Sequence, residues 1–482
     1  MGDDLTPLRV AVIGQGSIGR RHAGILLDLG QHVVAYDPAM VTAPADRVQL
    51  ADSLLDALGS ADAAVIASPS VHHVAHARLA IEHSIPVLVE KPLATDAPGA
   101  AELDCLARER GTLLAVAMNL RHHGGVAAVA ELLREGTLGR VISARAWCGS
   151  WLPGWRPGSD YRQGYSARAE LGGGVLLDVA VHELDYLMWL LGPATSVSAL
   201  AKHASRLEVD VEDVASIALE LETGAVAEVS VNYFDRSYHR GCRLVGEQAT
   251  AHWSWENESL TVAGWDAGPQ RRSVSADVAP TYRRQMEEFL AAARGEGGQI
   301  VPAFAARQLL SVIDGARAST AEGRRVTLAP PVALRPARRD DSDRLRDWRN
   351  DAETRRWSRV QSEVSPQEHE GWLSQVLEDP QTRLWVAEVN GIAVGQIRVT
   401  REREGWAELH VSVAPSARGR ALGTALIVEA SGRALAGPDV SGLVAHVKDG
   451  NVASLRAFAR AGFTPAGRDR AGLVRLERRP GR

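Results

Sequence analysis

Cysteine is scarce: only Cys105, Cys148 and Cys242 occur in 482 residues. Widely spaced and odd in number, they exclude a disulfide framework and fit a reducing compartment. Long apolar runs are missing too, and nothing approaches the ~20 residues that a membrane-spanning helix needs. Positive charge is not in excess. The formal net charge is −5, which removes any bulk electrostatic case for nucleic acid or an anionic membrane as partner. The first residues, MGDDLTPLRVAVIG, are acidic where a secretory signal would be basic. No metal is expected, and the expected location is cytoplasmic. The remaining composition, 45% hydrophobic and 23% charged, is ordinary for a globular protein. The length exceeds what one core supports and predicts three domains of roughly 150 residues each.

One stretch organises the rest. Residues 171–191 read LGGGVLLDVAVHELDYLMWLL, which predicts a helix opened by Gly172, Gly173 and Gly174 and closed at Gly192. At about 100° per residue, Asp178, His182 and Asp185 fall within about 60° of one another on one face. Leu177, Leu184, Leu187, Met188 and Leu191 make an apolar stripe on the other. Such a helix buries one side and presents two carboxylates and an imidazole on the opposite side.

Upstream, a short apolar run over 8–13 leads into GQGSIGRRH. Gly14, Gly16 and Gly19, with Ser17 and Ile18 between them, form G-x-G-x-x-G between a strand and a helix. That context suits a dinucleotide pyrophosphate. The next strand, 32–36, ends in Asp37, near the position where an acid binds ribose hydroxyls and repels a 2′-phosphate. No Lys or Arg follows until Arg47, so NAD(H) is expected rather than NADP(H). A third strand over 63–67 runs into Ser68-Pro69-Ser70, with His73 just beyond, and a fourth over 87–89 runs into Glu90-Lys91-Pro92. In a doubly wound sheet these loops border the ligand crevice.

Together with Asn119 in AMNLR and Asp178-x-x-x-His182, these motifs resemble the glucose–fructose oxidoreductase / inositol dehydrogenase (Gfo/Idh/MocA) family over about residues 7–328. The resemblance implies an α/β chain: a Rossmann domain over 1–124, then an α/β domain over 125–329 with an open, mostly antiparallel sheet. The free face of that sheet implies a homo-oligomer, dimer or tetramer. It further implies Lys91 and His182 as the catalytic pair with Asp178 in support. NAD(H) would lie against Ser68, Pro69, His73, Glu90 and Asn119, and the substrate near Arg121 and Asp185. The chemistry suits these residue types. His182 can take a hydroxyl proton near neutral pH, Lys91 can stabilise developing alkoxide, and Asp178, one turn back, can orient the imidazole.

Residues 149–174 are rich in Gly, Pro and Trp and are punctuated by Arg156, Arg162 and Arg168. Long segments of this kind in compact domains tend to be functional, and this one should wall the pocket, with arginines suited to phosphate or carboxylate. The stretch is similar to a subgroup associated with bacterial surface sugars, including sialic-acid-like nonulosonates. Alternating runs over 196–264 predict strands with turns at Thr223-Gly224 and Gly246-Glu247. Helices over 282–294 and 303–322 and a last strand over 326–328 complete the domain.

After Ala329-Pro330-Pro331 a further domain, 332–482, begins. Asn390-Gly391 predicts a hairpin, and Ser365 an N-cap. The run WAELHVSVAPSARGRALGTALIV places Glu408, His410 and Ser412 on one strand face and Leu409, Val411 and Val413 on the other. A loop from Arg418 through Gly419, Arg420 and Ala421 to Gly423 then enters a helix, a natural anion site. This arrangement resembles the GNAT acetyltransferases, nearest the RimJ/RimL-like branch and enzymes acting on amino sugars, through Trp348-Arg349-Asn350-Asp351 and Asn451-x-x-Ser454. The resemblance implies acetyl-CoA along Val411, Val413, Arg418, Gly419, Ala421, Gly423 and Asn451. It implies an acceptor near Trp348 and Arg349, and Glu408 or His410 as a base acting through water. Ala421 stands where the family usually has glycine, and Phe458 where many members have a tyrosine acid.

An NAD-dependent sugar dehydrogenase makes a ketone, and an acetyltransferase consumes an amine. The expected function is a bifunctional enzyme acting on small sugars, nucleotide-linked or phosphorylated, in surface-glycan or nonulosonate precursor synthesis, with a separate aminotransferase as pathway partner. Two alternatives stay open. One half could be a ligand-sensing or scaffolding module, or the acetyl group could go to a protein N-terminus or an antibiotic amine.

Overall fold

A computed structural model describes residues 6–42, 47–264, 266, 268–330, 332–389, 391–402, 405–419, 422–436 and 440–479. The chain divides into two compact units, Met1–Leu328 and Ala329–Arg482.

The first unit holds two sheets. The first runs in the order Val301–Pro302, Leu114–Ala117, Val87–Glu90, Ala63–Ile66, Arg9–Ile13, His32–Tyr36, Val48–Leu50. All neighbours are parallel except the Val301–Pro302 edge. The central strands are buried along their whole length, as a parallel sheet covered on both faces requires. Strand order reverses between Arg9–Ile13 and Ala63–Ile66, which places Gly14 and Ser68 together at the topological switch point.

The second sheet runs Gln270–Ser273, Ser259–Gly264, Ala249–Ser254, Phe234–Gly246, Val141–Trp151, Val226–Asn232, Val214–Leu221, Ala194–Lys202, Val326–Thr327. Only Val141–Trp151 with Val226–Asn232 is parallel. Val214–Leu221 alternates strictly between buried and open positions, so one face packs and the other is free. The packed face carries Val181–Leu191 and Ala303–Glu322, and one apolar cluster continues through it into the first sheet. Val141–Trp151 extends three residues into the stretch read as loop from 149. The remainder of that stretch holds four short 3₁₀ turns, from Leu152–Gly154 to Ala169–Leu171.

The predicted helix over 171–191 begins later than its glycines suggest. Gly172 and Gly174 have φ of 85° and 105°, left-handed values that cannot start an α-helix. The helix instead opens with a π-turn, Leu176–Ala180, and becomes α-helical at Val181–Leu191. The wider turn changes the angle between Asp178 and His182, with consequences for the site.

The second unit is one sheet in the order Ala333–Pro336, Thr382–Val389, Ile392–Arg401, Trp406–Val413, Gly442–Val447, Val474–Arg478, Thr464–Arg468. Its single parallel pair, Trp406–Val413 with Gly442–Val447, is bonded only from Trp406 to Glu408, after which the strands part. The hairpin joining Thr382–Val389 to Ile392–Arg401 forms as the sequence predicts, although Asn390 itself lies outside the described residues. Ser365 caps Pro366–Glu378 and shares a reciprocal capping box with Glu368. Among the described residues, no helix is long and apolar enough to cross a membrane.

Close packing in the first unit makes a specific demand at Gly125, where a Cβ would overlap the fully buried indole of Trp253. Gly125→Ala should therefore destabilise this unit by about 1–3 kcal/mol. Chemical denaturation followed by tryptophan fluorescence checks this; an unchanged midpoint would show that the indole yields.

Candidate active site

At the switch point the three fingerprint glycines do different work. Gly14 has φ of 90°, and a Cβ there would lie 2.5 Å from the Ser68 amide nitrogen. A Cβ on Gly19 would overlap the Gly14 carbonyl, whereas Gly16 faces open space. That space lies before Ser17–Asp28, a helix whose first turn has no side-chain cap and no acidic residue. The N–H groups around Ser17 and Ile18 are thus free for an anion. Asp37 accepts from the Gln15 amide (2.7 Å) and the Ala39 amide (2.9 Å), one on each carboxylate oxygen. The donor set and the cradle fit a dinucleotide.

Three expected cofactor residues are otherwise engaged. His73 is buried, and its ring nitrogens lie 2.8 Å from the carbonyls of Ser68 and Pro92. It braces the Ser68-Pro69 and Lys91-Pro92 loops against each other and does not offer its ring to a ligand. Asn119 is buried and donates its amide to Thr281 Oγ1 at 2.8 Å. Glu90 is buried beside His22, with Nε2 to Oε1 at 2.7 Å. Burial pushes the Glu90 carboxyl up, but His22 and the Lys91 charge outweigh it and hold it below its ordinary value.

Lys91 is the centre of the arrangement. Its Nζ donates to Asp178 Oδ1 (2.8 Å) and to the Asp178 carbonyl (2.7 Å). Asp178 Oδ2 accepts from Ser166 Oγ (2.5 Å) and Tyr233 OH (3.3 Å). Burial disfavours both charges, yet each partner's charge and these hydrogen bonds overcome it: Asp178 stays ionised and Lys91 protonated. Asp178 therefore holds the lysine and does not orient His182. The π-turn and the competing donors, Lys91, Ser166 and Tyr233, supply the physical reason. His182 is half-buried and has no hydrogen-bond partner among the described residues. Burial first, then the charges of Lys91 and Arg240, push its pKa well below 6.5. The result is a neutral, unengaged imidazole close to a fixed ammonium.

Ser166 and Tyr233 were not legible as site residues. They lie 12 and 55 positions from Asp178, and no local pattern links them.

The arginines expected at the substrate divide sharply. Arg121 and Asp185 satisfy each other through two bonds of 2.8 and 2.7 Å, with Arg121 also over the Trp189 ring. The pair is buried structure, so neither group is free for substrate. Arg162 is clasped by Asp160 and Glu208, and Arg168 lies near Glu170 and Asp210. Arg156 is exposed, and its side chain has no partner among the described residues.

In the second unit, the parting strands leave one edge of residues 409–413, including Val411 and Val413, without a strand partner among the described residues. Glu408 lies where they diverge, 3.1 Å from His410 Nε2 and 3.3 Å from Arg359. The His410 hydrogen bond, offset by burial and reinforced by the charges of His410 and Arg359, holds the Glu408 carboxyl below its ordinary value. Gly419 has φ of 80°, and Gly423 sits in the first turn of Leu422–Ala436 with only ordinary contacts around its Cα. Arg420 and Ala421 lie outside the described residues. Several expected roles change here. Arg418 bonds Asp351 and Thr354, and the Asn451 side chain caps Val452–Arg460 at the Ser454 amide. Trp348 is buried in the core, and Arg349 donates to the Val360 carbonyl at 2.7 Å. Each of these expected ligand groups is occupied by a protein partner or by packing. Phe458 is likewise core, edge-on to Phe463.

Residues 8–118 match an oxidoreductase family with an NAD-binding Rossmann fold. Residues 126–252 match the GFO/IDH/MocA C-terminal domain, and residues 332–464 the acetyltransferase (GNAT) domain. The dTDP-3,4-didehydro-2,6-dideoxy-alpha-D-glucose 3-reductase of Saccharopolyspora spinosa is 31% identical over 267 residues, 52% of this chain and 78% of that protein. Inositol 2-dehydrogenase 2 of Paenarthrobacter aurescens is 29% identical over 318 residues, 60% of this chain and 88% of that protein. Among solved structures, the WlbA dehydrogenase from Bordetella pertussis, in complex with NADH and UDP-GlcNAcA, shares the fold with a TM-score of 0.57. It is 24% identical and covers 67% of this chain and 99% of its own. With the switch-point cradle, the strand-end lysine and the parted strands in place, the chain belongs to the GFO/IDH/MocA family of NAD-binding oxidoreductases and carries a GNAT acetyltransferase domain.

Proposed function

We propose that the first unit moves a hydride between NAD(H) and a carbinol carbon of a sugar. The observation that carries this is the Lys91 ammonium pinned by Asp178 near an unengaged, neutral His182. NAD(H) would be held by the amides around Gly14, Gly16, Ser17, Ile18 and Gly19 and by Asp37, and when bound it supplies or accepts the hydride. In the oxidative direction His182 takes the hydroxyl proton as the C–H electron pair departs. Lys91 donates a hydrogen bond to the same oxygen while it becomes a carbonyl. The reverse sequence protonates a ketone oxygen. Ser166 and Tyr233 keep Asp178 ionised, so that Lys91 stays charged and in place. A nucleotide-linked or phosphorylated sugar fits the free Arg156, and the relatives that reduce a dTDP-sugar or bind UDP-GlcNAcA support that class.

In the second unit the acceptor amine forms its bond to the acetyl carbon as the C–S bond of acetyl-CoA breaks. The amine proton leaves toward Glu408 and His410 through water, and the thiolate takes a proton from solvent. An amino sugar is the proposed acceptor. The two activities would serve one cytoplasmic route to an acetamido sugar in surface-glycan or nonulosonate synthesis, with an aminotransferase converting ketone to amine between them. Functional divisions at 1–124, 125–329 and 332–482 belong to this reading, as does homo-oligomer formation through the free sheet face. A second reading, in which the GNAT half senses a ligand without turnover, draws on Arg418 being paired to Asp351.

Lys91→Ala and His182→Ala should each lower turnover on the cognate sugar by 10²–10⁴-fold, the usual cost of losing a positioned proton-transfer group. Their NADH affinity, measured by fluorescence titration, should stay within about 2–3-fold of wild type; near-normal turnover in either variant would refute the pair. Because the His182 pKa is depressed, the base remains deprotonated as pH falls through 6.5. The acid limb of kcat/KM should accordingly lie below that value, and a limb at or above it would point to a different base. For the second unit, calorimetry on the full chain should detect acetyl-CoA at micromolar affinity. No heat at millimolar ligand would favour the sensing or scaffold reading.

A further inference from the structure

The acceptor side of the second unit holds a cation that meets no counter-charge among the described residues. Arg398 lies on Ile392–Arg401, opposite His410 in register. Its neighbours Ile397 and Val399 are buried in the core, so Arg398 shares the other sheet face with Gln396, Glu408 and His410. Its guanidinium makes no hydrogen bond and no ion pair among the described residues, and its Nε is buried. The Trp372 ring, 6.0 Å from Cζ, covers one side. Two residues along the same strand, Gln396 Oε1 is also buried without a donor.

The surrounding charges do not explain this. Glu408 is taken by His410 at 3.1 Å and Arg359 at 3.3 Å, and Arg359 also reaches Asp469 at 3.9 Å. Asp469 in turn faces His446 at 3.0 Å. Arg398 is thus left over from a cluster whose carboxylates are already shared. Burial depresses its pKa; the Glu408 charge offsets this in part, and the like charge of Arg359 adds to it. Arginine nevertheless stays protonated in proteins. Native folds rarely leave buried polar atoms unpaired, and a partly buried charge without a counter-charge is costly. Here an unpaired donor cation and an unpaired acceptor lie two residues apart, beside the proposed base.

We propose that the acetyl acceptor carries a carboxylate or phosphate that seats on Arg398, with a hydroxyl of the same molecule donating to Gln396 and its amine facing Glu408 and His410. This rests on the acetyltransferase reading and narrows its substrate class from amino sugars to anionic ones. Arginine suits the task because its planar fork can meet a carboxylate or phosphate through two hydrogen bonds. Trp372 keeps water from one side of that contact.

The test uses the full chain with acetyl-CoA and three acceptor probes: glucosamine, glucosamine 6-phosphate and glucosaminuronic acid. Thiol release should show kcat/KM about 10- to 100-fold higher for one or both anionic probes, as charge-assisted hydrogen bonds imply. Which of them wins separates phosphate from carboxylate. Arg398→Gln should bring the anionic-to-neutral ratio close to one, mainly through KM, and Arg398→Lys should restore part of it. Calorimetry with the same probes on the CoA-loaded protein should show the same preference in binding and its loss in Arg398→Gln. Equal use of neutral and anionic probes, or an Arg398→Gln variant that lowers both equally, would overturn the proposal. If acetyl-CoA does not bind, the transferase reading fails by itself. Calorimetry on the ligand-free chain then still decides Arg398, and equal affinity for the neutral and anionic probes counts against it.

Discussion

The ion pair between Lys91 and Asp178 ties the first unit together. Lys91 ends a strand of the parallel sheet, and Asp178 sits in the π-turn that begins the helix packed on the second sheet. A buried ion pair is stable only when its remaining hydrogen-bonding capacity is met. Here Ser166 from the 149–174 stretch and Tyr233, just past the strand Val226–Asn232, meet it. Three side chains from separate chain segments therefore converge on one carboxylate. That convergence lets a single ammonium be positioned at the edge of a nucleotide crevice without occupying His182.

Local features were readable in the residues, and long-range ones were not. The glycine fingerprint, the hairpin of Thr382–Val389 with Ile392–Arg401 and the Ser365 cap depend on a few adjacent residues, and each stands where the pattern placed it. Charged side chains behaved differently. Arg121, Asp185, Arg418 and Arg349 looked like ligand groups because nothing nearby in the chain engaged them. Their partners stand 64, 64, 67 and 11 positions away. Periodicity shows which face a residue occupies but not which distant group meets it there. His73 shows the same limit, since the loops it braces become neighbours only once the sheet has formed.

The helix over 171–191 failed in a more instructive way. Its apolar stripe was read correctly, yet its first turn was not, because left-handed glycines cannot begin an α-helix and the chain enters through a π-turn instead. The placement of Asp178, Ser166 and Lys91 follows from that irregular start. In the second unit the decisive geometry is also an interruption, the point past Glu408 where two parallel strands stop pairing. Both candidate sites sit where regular structure breaks, which is where backbone groups and charged side chains have no regular partners to satisfy them.

The buried contact between His22 and Glu90 gives the first unit a gearing between its two ends. His22 lies early in the helix that starts at the glycine loop, and Glu90 directly precedes Lys91. The helix whose first turn would take a pyrophosphate is thus joined by one short hydrogen bond to the residue next to the ammonium. The lysine in turn bonds Asp178, which accepts from Ser166 of the 149–174 stretch. The glycine loop and the ammonium then share one train of contacts. The cradle for the dinucleotide and the ammonium that would meet the sugar are thereby held by one set of buried contacts.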